Sequence, residues 1–182
     1  MKIDLRHAKI KDVDAVIELF RYASKDGEYK GFDDISYQKQ KDLISHMITN
    51  TPVFVVELSG EVREHGKEPE FLKNEIIGTT SLREFDAELK EEDLKAFSEE
   101  GKCMLACCLI IKPFFRNVGF AKMITEFAED GAKDNNIAYL RTIISIHNDP
   151  ANKLAKETGY VLVKSNVENK EGKCNLWEKR IS

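Results

Sequence analysis

Apolar residues recur along the chain in two rhythms, and these mark out its elements. In "DVDAVIELF", Val13, Val16, Ile17 and Phe20 fall on one face of a helix, with Asp12 placed as its N-cap. The lead-in "KIDLRHA" reads as a short strand. A second helix is expected from Ser36 to about Thr49, turning Leu43, Ile44, Met47 and Ile48 inward. Between the two helices lies "SKDGEYKGFDD", rich in glycine and acid.

Strand patterns follow. "VFVVEL" after Pro52 and "EIIGTTSLREF" are strands separated by "SGEVREHGKEPEFLKN", which is too long for a tight hairpin and reads as a surface insertion. Residues 84–100 are acid-rich, with a short helix expected around Glu91 to Phe97. "CMLACCLIIKP" is nearly continuous apolar sequence, as for a strand buried on both faces, and "YLRTIISI" repeats the type. A helix from about Gly119 to Lys133 joins them, carrying Phe120, Met123, Ile124 and Phe127 at helical spacing. Strand, helix, strand implies a right-handed crossover and a parallel pair. In "NDPANKLAKETG", Asp149 is placed to cap a further helix, Pro150 to occupy its first turn and Gly159 to end it. "YVLVKS" and "KCNLWEKRI" then form a hairpin across "NVENKEG".

The sum is an α/β protein, a mixed sheet with helices packed on it. At 182 residues it is most economically one domain, 1–182, able to bury a core without metal or disulfide support. A formal net charge of -4 argues against an electrostatic grip on nucleic acid or an anionic membrane. No run approaches the roughly 18 apolar residues of a membrane span, and the N-terminus lacks a signal-peptide core, so the expected location is cytoplasmic. Cys103, Cys107, Cys108 and Cys174 are too few and too clustered for a secreted disulfide scaffold. The CxxxCC spacing lacks the paired CxxC of zinc sites, so buried structural thiols and no metal are expected.

One local pattern carries chemistry. A helix that starts just after a strand leaves its first amides unpaired, with the positive end of the helix dipole behind them, and such a terminus binds phosphate. In "RNVGFA", small residues at 119 and 121 let an anion approach the backbone, and Arg116 adds a charge. The spacing is Arg-x-x-Gly-x-Ala; neither GxxxxGK[ST] nor GxGxxG is present.

This turn resembles the acyl-CoA-binding turn of the GNAT acetyltransferase superfamily. The neighbours agree: "LIIKPFF" resembles the family's hydrophobic strand and proline, and "NDPANKLAKETGY" its Asn-x-x-Ala motif followed by Gly-aromatic, through Asn148, Ala151, Gly159 and Tyr160. The sequence likeness runs over residues 103–164, the expected coenzyme-binding core, and is architectural elsewhere. It implies a GNAT-type fold: a mixed, mostly antiparallel sheet with a central parallel strand pair and helices on both faces. It further implies that the stretch Phe115, Arg116, Asn117, Val118, Gly119, Phe120 and Ala121 cradles the pyrophosphate of acetyl-CoA. Backbone groups of Ile110 and Ile111 would pair with the pantetheine arm, and Asn148 would contact it. Gly119 could equally be a tight turn, Arg116 a solvated charge and Asn148 a helix cap.

Acetyl transfer to an amine needs a free lone pair, donors for the oxyanion and a fate for the thiolate. An alkylamine with a pKa near about 10.4 must lose a proton first. The resemblance places the amide of Ile110 or Ile111 at the oxyanion. Where the family often supplies a tyrosine to protonate the thiolate, this chain has Ala155. "CMLACCLII" contains no carboxylate, so the base candidates are Glu84, Asp86 and His147. Acidic residues in "DGEYKGFDD" and "EFDAELKEED" favour a cationic acceptor, or else form a solvated face. The expectation is a direct acetyl-CoA-dependent N-acetyltransferase acting on a small-molecule or peptide amine, with a homodimer made plausible by the likeness. The alternative is a catalytically degenerate domain that binds acyl-CoA as a regulatory or sensory module.

Overall fold

A computed structural model of the chain describes residues 1–63, 68–85, 89–98, 101–169 and 172–181. The strands are β1 (Lys2–His7), β2 (Val53–Val62), β3 (Glu70–Glu84), β4 (Cys103–Ile111), β5 (Tyr139–Ser145), β6 (Val161–Asn169) and β7 (Gly172–Arg180). The helices are α1 (Val13–Lys25), α2 (Tyr37–Asn50), α3 (Glu91–Leu94), α4 (Phe120–Asp134) and α5 (Asp149–Glu157). The strands hydrogen-bond in the order β1-β2-β3-β4-β5-β7-β6 as one mostly antiparallel sheet. β4 and β5 form the expected parallel pair. No described helix is long and apolar enough to cross a membrane.

Two compact units divide the chain, Met1–Ser81 with Cys108–Ile124, and Leu82–Cys107 with Thr125–Ser182. In the first, the apolar stripe of α1 does what its spacing predicts: Val13, Val16, Ile17, Leu19 and Phe20 are buried against Ile44 of α2, Val55 of β2, Ile76 of β3 and Ile110 of β4. Each such side chain contributes about 1.5–3 kcal/mol on leaving water. Ser36 caps α2, its hydroxyl accepting from the Lys39 amide at 3.4 Å. Leu43 does not turn inward and is 56% exposed, because the cluster reaches α2 only along the line of Ile44, Met47 and Ile48.

Asp12 also departs from its expected role. Its side chain makes no cap bond to α1. Instead it accepts from the Lys9 amide at 2.7 Å and from the Arg6 guanidinium at 2.7 and 3.1 Å, and Arg6 also donates to Glu57. Arg6 thereby ties β1, β2 and the start of α1 together.

The supposed insertion between β2 and β3 is largely strand. The pairing continues through Gly60↔Leu72, Glu61↔Phe71 and Val62↔Glu70, with register shifts on the way. Period-2 alternation disappears across such shifts, which is why the polar stretch reads as loop in one dimension.

The second unit holds β5, β7 and β6 with most of α4 and α5. Its satellite core gathers Phe97, Val167, Cys174 and Leu176, with Phe85, Leu89, Ile143 and Val163 packed around them. The cap of α5 is Asn148, whose side-chain Oδ1 accepts from the Ala151 amide at 3.1 Å; Asp149 is the first helical residue, so the cap sits one residue earlier than expected. Among the strand cysteines, Cys103, Cys107 and Cys108 are half-buried and only Cys174 is buried.

Candidate functional site

β4 is the element on which the site is built. It pairs with β5 through Cys103↔Tyr139, Met104↔Leu140 and Leu105↔Arg141, and that register stops there although both strands continue. Full burial within β4 is accordingly confined to Leu105, Ile110 and Ile111, not the whole strand as expected. Cys108 has φ 56, in the left-handed region that costs an ordinary side chain about 1–2 kcal/mol. It interrupts strict alternation along the strand. Packing of Cys108 against the α1–α2 cluster helps to hold this conformation.

β3 and β4 approach closely where β4 ends. A Cβ on Gly78 would lie 2.4 Å from the Ile111 Cδ1 atom and 3.1 Å from the Ile110 carbonyl oxygen. The Lys112 amide then donates to the Ile77 carbonyl at 2.8 Å, fixing the exit of the strand. Lys112 itself is held by Glu75 at 2.9 Å and Glu18 at 3.3 Å. Burial pulls its pKa down, but those two carboxylates outweigh it and the ammonium is stabilised.

The turn follows at once. Pro113–Phe115 forms a single 3-10 turn whose Phe115 amide donates to Lys112 at 2.9 Å and whose Arg116 amide donates to Pro113 at 3.2 Å. These two amides, the first of the expected cradle, are therefore spent within the turn. The stretch left for an anion runs from Asn117 to Phe120, with positive φ at Asn117 (63) and Gly119 (100). Such curled backbone lets successive N–H groups converge on an anion. A Cβ on Gly119 would meet nothing within 4 Å, so this side of the turn is open. α4 begins immediately, with the Met123 amide donating to the Gly119 carbonyl at 3.0 Å.

Phe115 and Phe120 are buried and pack edge-on at 6.2 Å, whereas Phe114 and Val118 are exposed. Arg116 is engaged twice. Its Nε donates to the Ile111 carbonyl at 2.9 Å, and its Nη2 pairs with Asp26 at 2.6 Å. Asp26 went unnoticed in the sequence, because nothing local distinguishes it from the other acids of its segment.

Ile110 through Ala121 all belong to the first unit. Glu84, His147 and Asn148 belong to the second. Glu84 is exposed at the end of β3, and His147 is exposed beside Asn148, its amide donating to the Ser145 hydroxyl at 3.3 Å. Asp86 lies outside the described residues. Asn148 serves as the helix cap already noted. Ala155 is buried, and burial together with the charge of Glu129 pushes the Tyr160 phenol well above its ordinary range. Among the described residues, no group of His, Cys, Asp and Glu is arranged to hold a metal ion.

The sequence pattern of the acetyltransferase (GNAT) family matches residues 70–160, half of the chain. No curated protein matches it. Among solved structures, the chain is similar to an acetyltransferase of the GNAT family from Streptococcus pneumoniae at 14% identity and a TM-score of 0.69, each chain covered to 100%. A chimera of the Vibrio cholerae spermidine N-acetyltransferase is similar at 17% identity and a TM-score of 0.69, covering 100% of this chain and 96% of that one. An N-acetyltransferase from Thermoplasma acidophilum in complex with coenzyme A is similar at 15% identity and a TM-score of 0.60, with 99% of each chain covered. At these identities the structural likeness speaks for the fold, and the family match speaks for descent: the chain belongs to the GNAT acetyltransferase family.

Proposed function

We propose that this protein is an N-acetyltransferase that uses acetyl-CoA and passes the acetyl group directly to a primary amine within a ternary complex. The observation that carries the reading is the turn after β4: positive φ at Asn117 and Gly119, an open side at Gly119, and a long helix beginning at Phe120. That combination suits a pyrophosphate. Residues 1–182 serve as one acetyltransferase domain in this reading, since the family match spans parts of both compact units.

When bound, acetyl-CoA supplies an activated acetyl thioester. The chain's part is to hold and orient it: the Arg116 side chain and the backbone from Asn117 to Ala121 at the pyrophosphate, Ile110 and Ile111 along the pantetheine arm, and an amide of that pair directed at the oxyanion. Removing one such donor elsewhere costs about 100-fold to 1,000-fold in turnover, within the range of about 100-fold to 10,000-fold that a positioned acid or base contributes. Glu84 and His147 are the candidates to take the amine proton. The acid-rich segments favour a cationic acceptor.

A second reading has a specific observation behind it. Ala155, buried, fills the position where a proton-donating tyrosine is often found in the family. A chain that binds acetyl-CoA without turnover would be a regulatory or sensory module. Incubation with acetyl-CoA and a panel of polyamines, amino acids and amino-terminal peptides, read by mass spectrometry of the acceptor, separates the two. Acetylated product from any amine supports the enzyme. Saturable acetyl-CoA binding with no product from the whole panel leaves the binding module. Direct detection of the acceptor also avoids interference from the four free cysteines.

A further inference from the structure

The Arg116 guanidinium faces two carriers of negative charge, one present and one proposed. Asp26 follows directly on α1, where its amide donates to Tyr22 at 3.2 Å and the next residue, Gly27, adopts φ 89. That geometry leaves its carboxylate 2.6 Å from the Arg116 Nη2. Arg116 is itself oriented by the bond from its Nε to the Ile111 carbonyl at 2.9 Å. Its Nη2 thus meets Asp26 at the edge of the turn that the reading above assigns to the pyrophosphate.

We propose that Asp26 and the coenzyme pyrophosphate are alternative partners of Arg116, so that Asp26 is a built-in competitor that lowers coenzyme affinity. The inference rests on the coenzyme reading of the turn. Two anions at one guanidinium repel each other, and a monodentate carboxylate yields to a pyrophosphate that also gathers backbone amides. The pair is half-exposed, at 40% and 45%, which makes the exchange accessible and keeps its strength modest and salt-sensitive.

The test is calorimetric titration of the wild type, Asp26→Asn, Arg116→Gln and the double variant with acetyl-CoA at low and at about 1 M salt. The expected result is affinity raised about threefold to fivefold by Asp26→Asn at low salt, with the gain lost at high salt and lost in the Arg116→Gln background. Equal or weaker binding by Asp26→Asn overturns the competition. A gain that persists undiminished without Arg116 also overturns it, since it would report a general field and not exchange at one guanidinium. Absence of binding in the wild type removes the coenzyme reading and this inference with it, whereas binding that ignores Asp26 removes only the inference. Should Asp26→Asn fail to fold, Asp26→Ser makes the same test.

Discussion

Arg141 and Glu178 stand directly opposite each other on β5 and β7, and the Arg141 Nε donates to the Glu178 carboxylate at 2.9 Å with only 11% and 8% of the two side chains exposed. The pair fastens the segment that carries α3. Glu178 also accepts from the Ser98 amide at 3.1 and 3.2 Å and from its hydroxyl at 2.6 Å, while Arg141 donates to the Ser98 carbonyl. The guanidinium carbon lies 4.7 Å from the Phe85 ring centre and 4.6 Å from that of Phe97. Removing one charge leaves the other buried and uncompensated, so Glu178→Ala should cost about 3–5 kcal/mol in urea unfolding. Replacing both residues with leucine should cost much less than either single change. A double variant as unstable as the singles combined would show that the ion pair is not the organising contact.

Asp12 sets an acid limit on stability. Burial raises its carboxyl pKa, but the hydrogen bonds from Arg6 and the Lys9 amide outweigh that and hold it below its ordinary 3.8. A depressed folded-state value means that the contribution is fully present above the unfolded pKa and is lost as pH falls through the folded one. Stability should thus drop below about pH 4 partly through Asp12. Asp12→Asn, less stable at neutral pH, should show a flatter decline between about pH 4 and 2, measured by chemical denaturation at each pH. An unchanged slope would assign the acid sensitivity to other carboxylates.

Cys107 and Cys108 are neighbours with opposite tolerances. Valine is close to cysteine in size and apolar, yet at φ 56 its branched Cβ is strongly disfavoured. Cys108→Val should cost about 2 kcal/mol or more and Cys107→Val less than about 1, compared by thermal unfolding. Equal costs would mean that the left-handed conformation of Cys108 carries no constraint.

Gly119→Trp tests the turn without testing the core. Nothing stands within 4 Å of a Cβ at this position, so a side chain has room to leave the backbone, although φ 100 adds local strain of about 1–2 kcal/mol. The variant should fold with a modestly lower Tm and bind acetyl-CoA at least tenfold more weakly. A folded variant with unchanged affinity would move the coenzyme away from this turn.

What could be read in the sequence was local. The stripe of α1, the second helix near Ser36, the parallel β4–β5 pair and the helix after "RNVGFA" each follow from residues within a few positions of one another. What could not be read depends on distant partners. Asp12 looks like an ordinary cap until Arg6, tied across to Glu57, takes its carboxylate. Leu43 satisfies helical spacing as well as Ile44 does, and only the position of α1 exposes it. The stop in the β4–β5 register and the positive φ of Cys108 leave no mark in an apolar run such as "CMLACCLII", whose composition is the same for a strand that is regular throughout. For the turn proposed to hold the coenzyme, spacing picked out the stretch; that Phe115 and Arg116 spend their amides on the turn itself appears only in three dimensions.

Calorimetric titration of the wild-type protein with acetyl-CoA tests the central claim most directly, because binding comes before any choice of acceptor. Saturable binding at one site per chain, with a matching rise in Tm, is the predicted result. No heat at two well-separated temperatures and no thermal stabilisation would contradict it, leaving a GNAT fold whose turn after β4 holds no coenzyme.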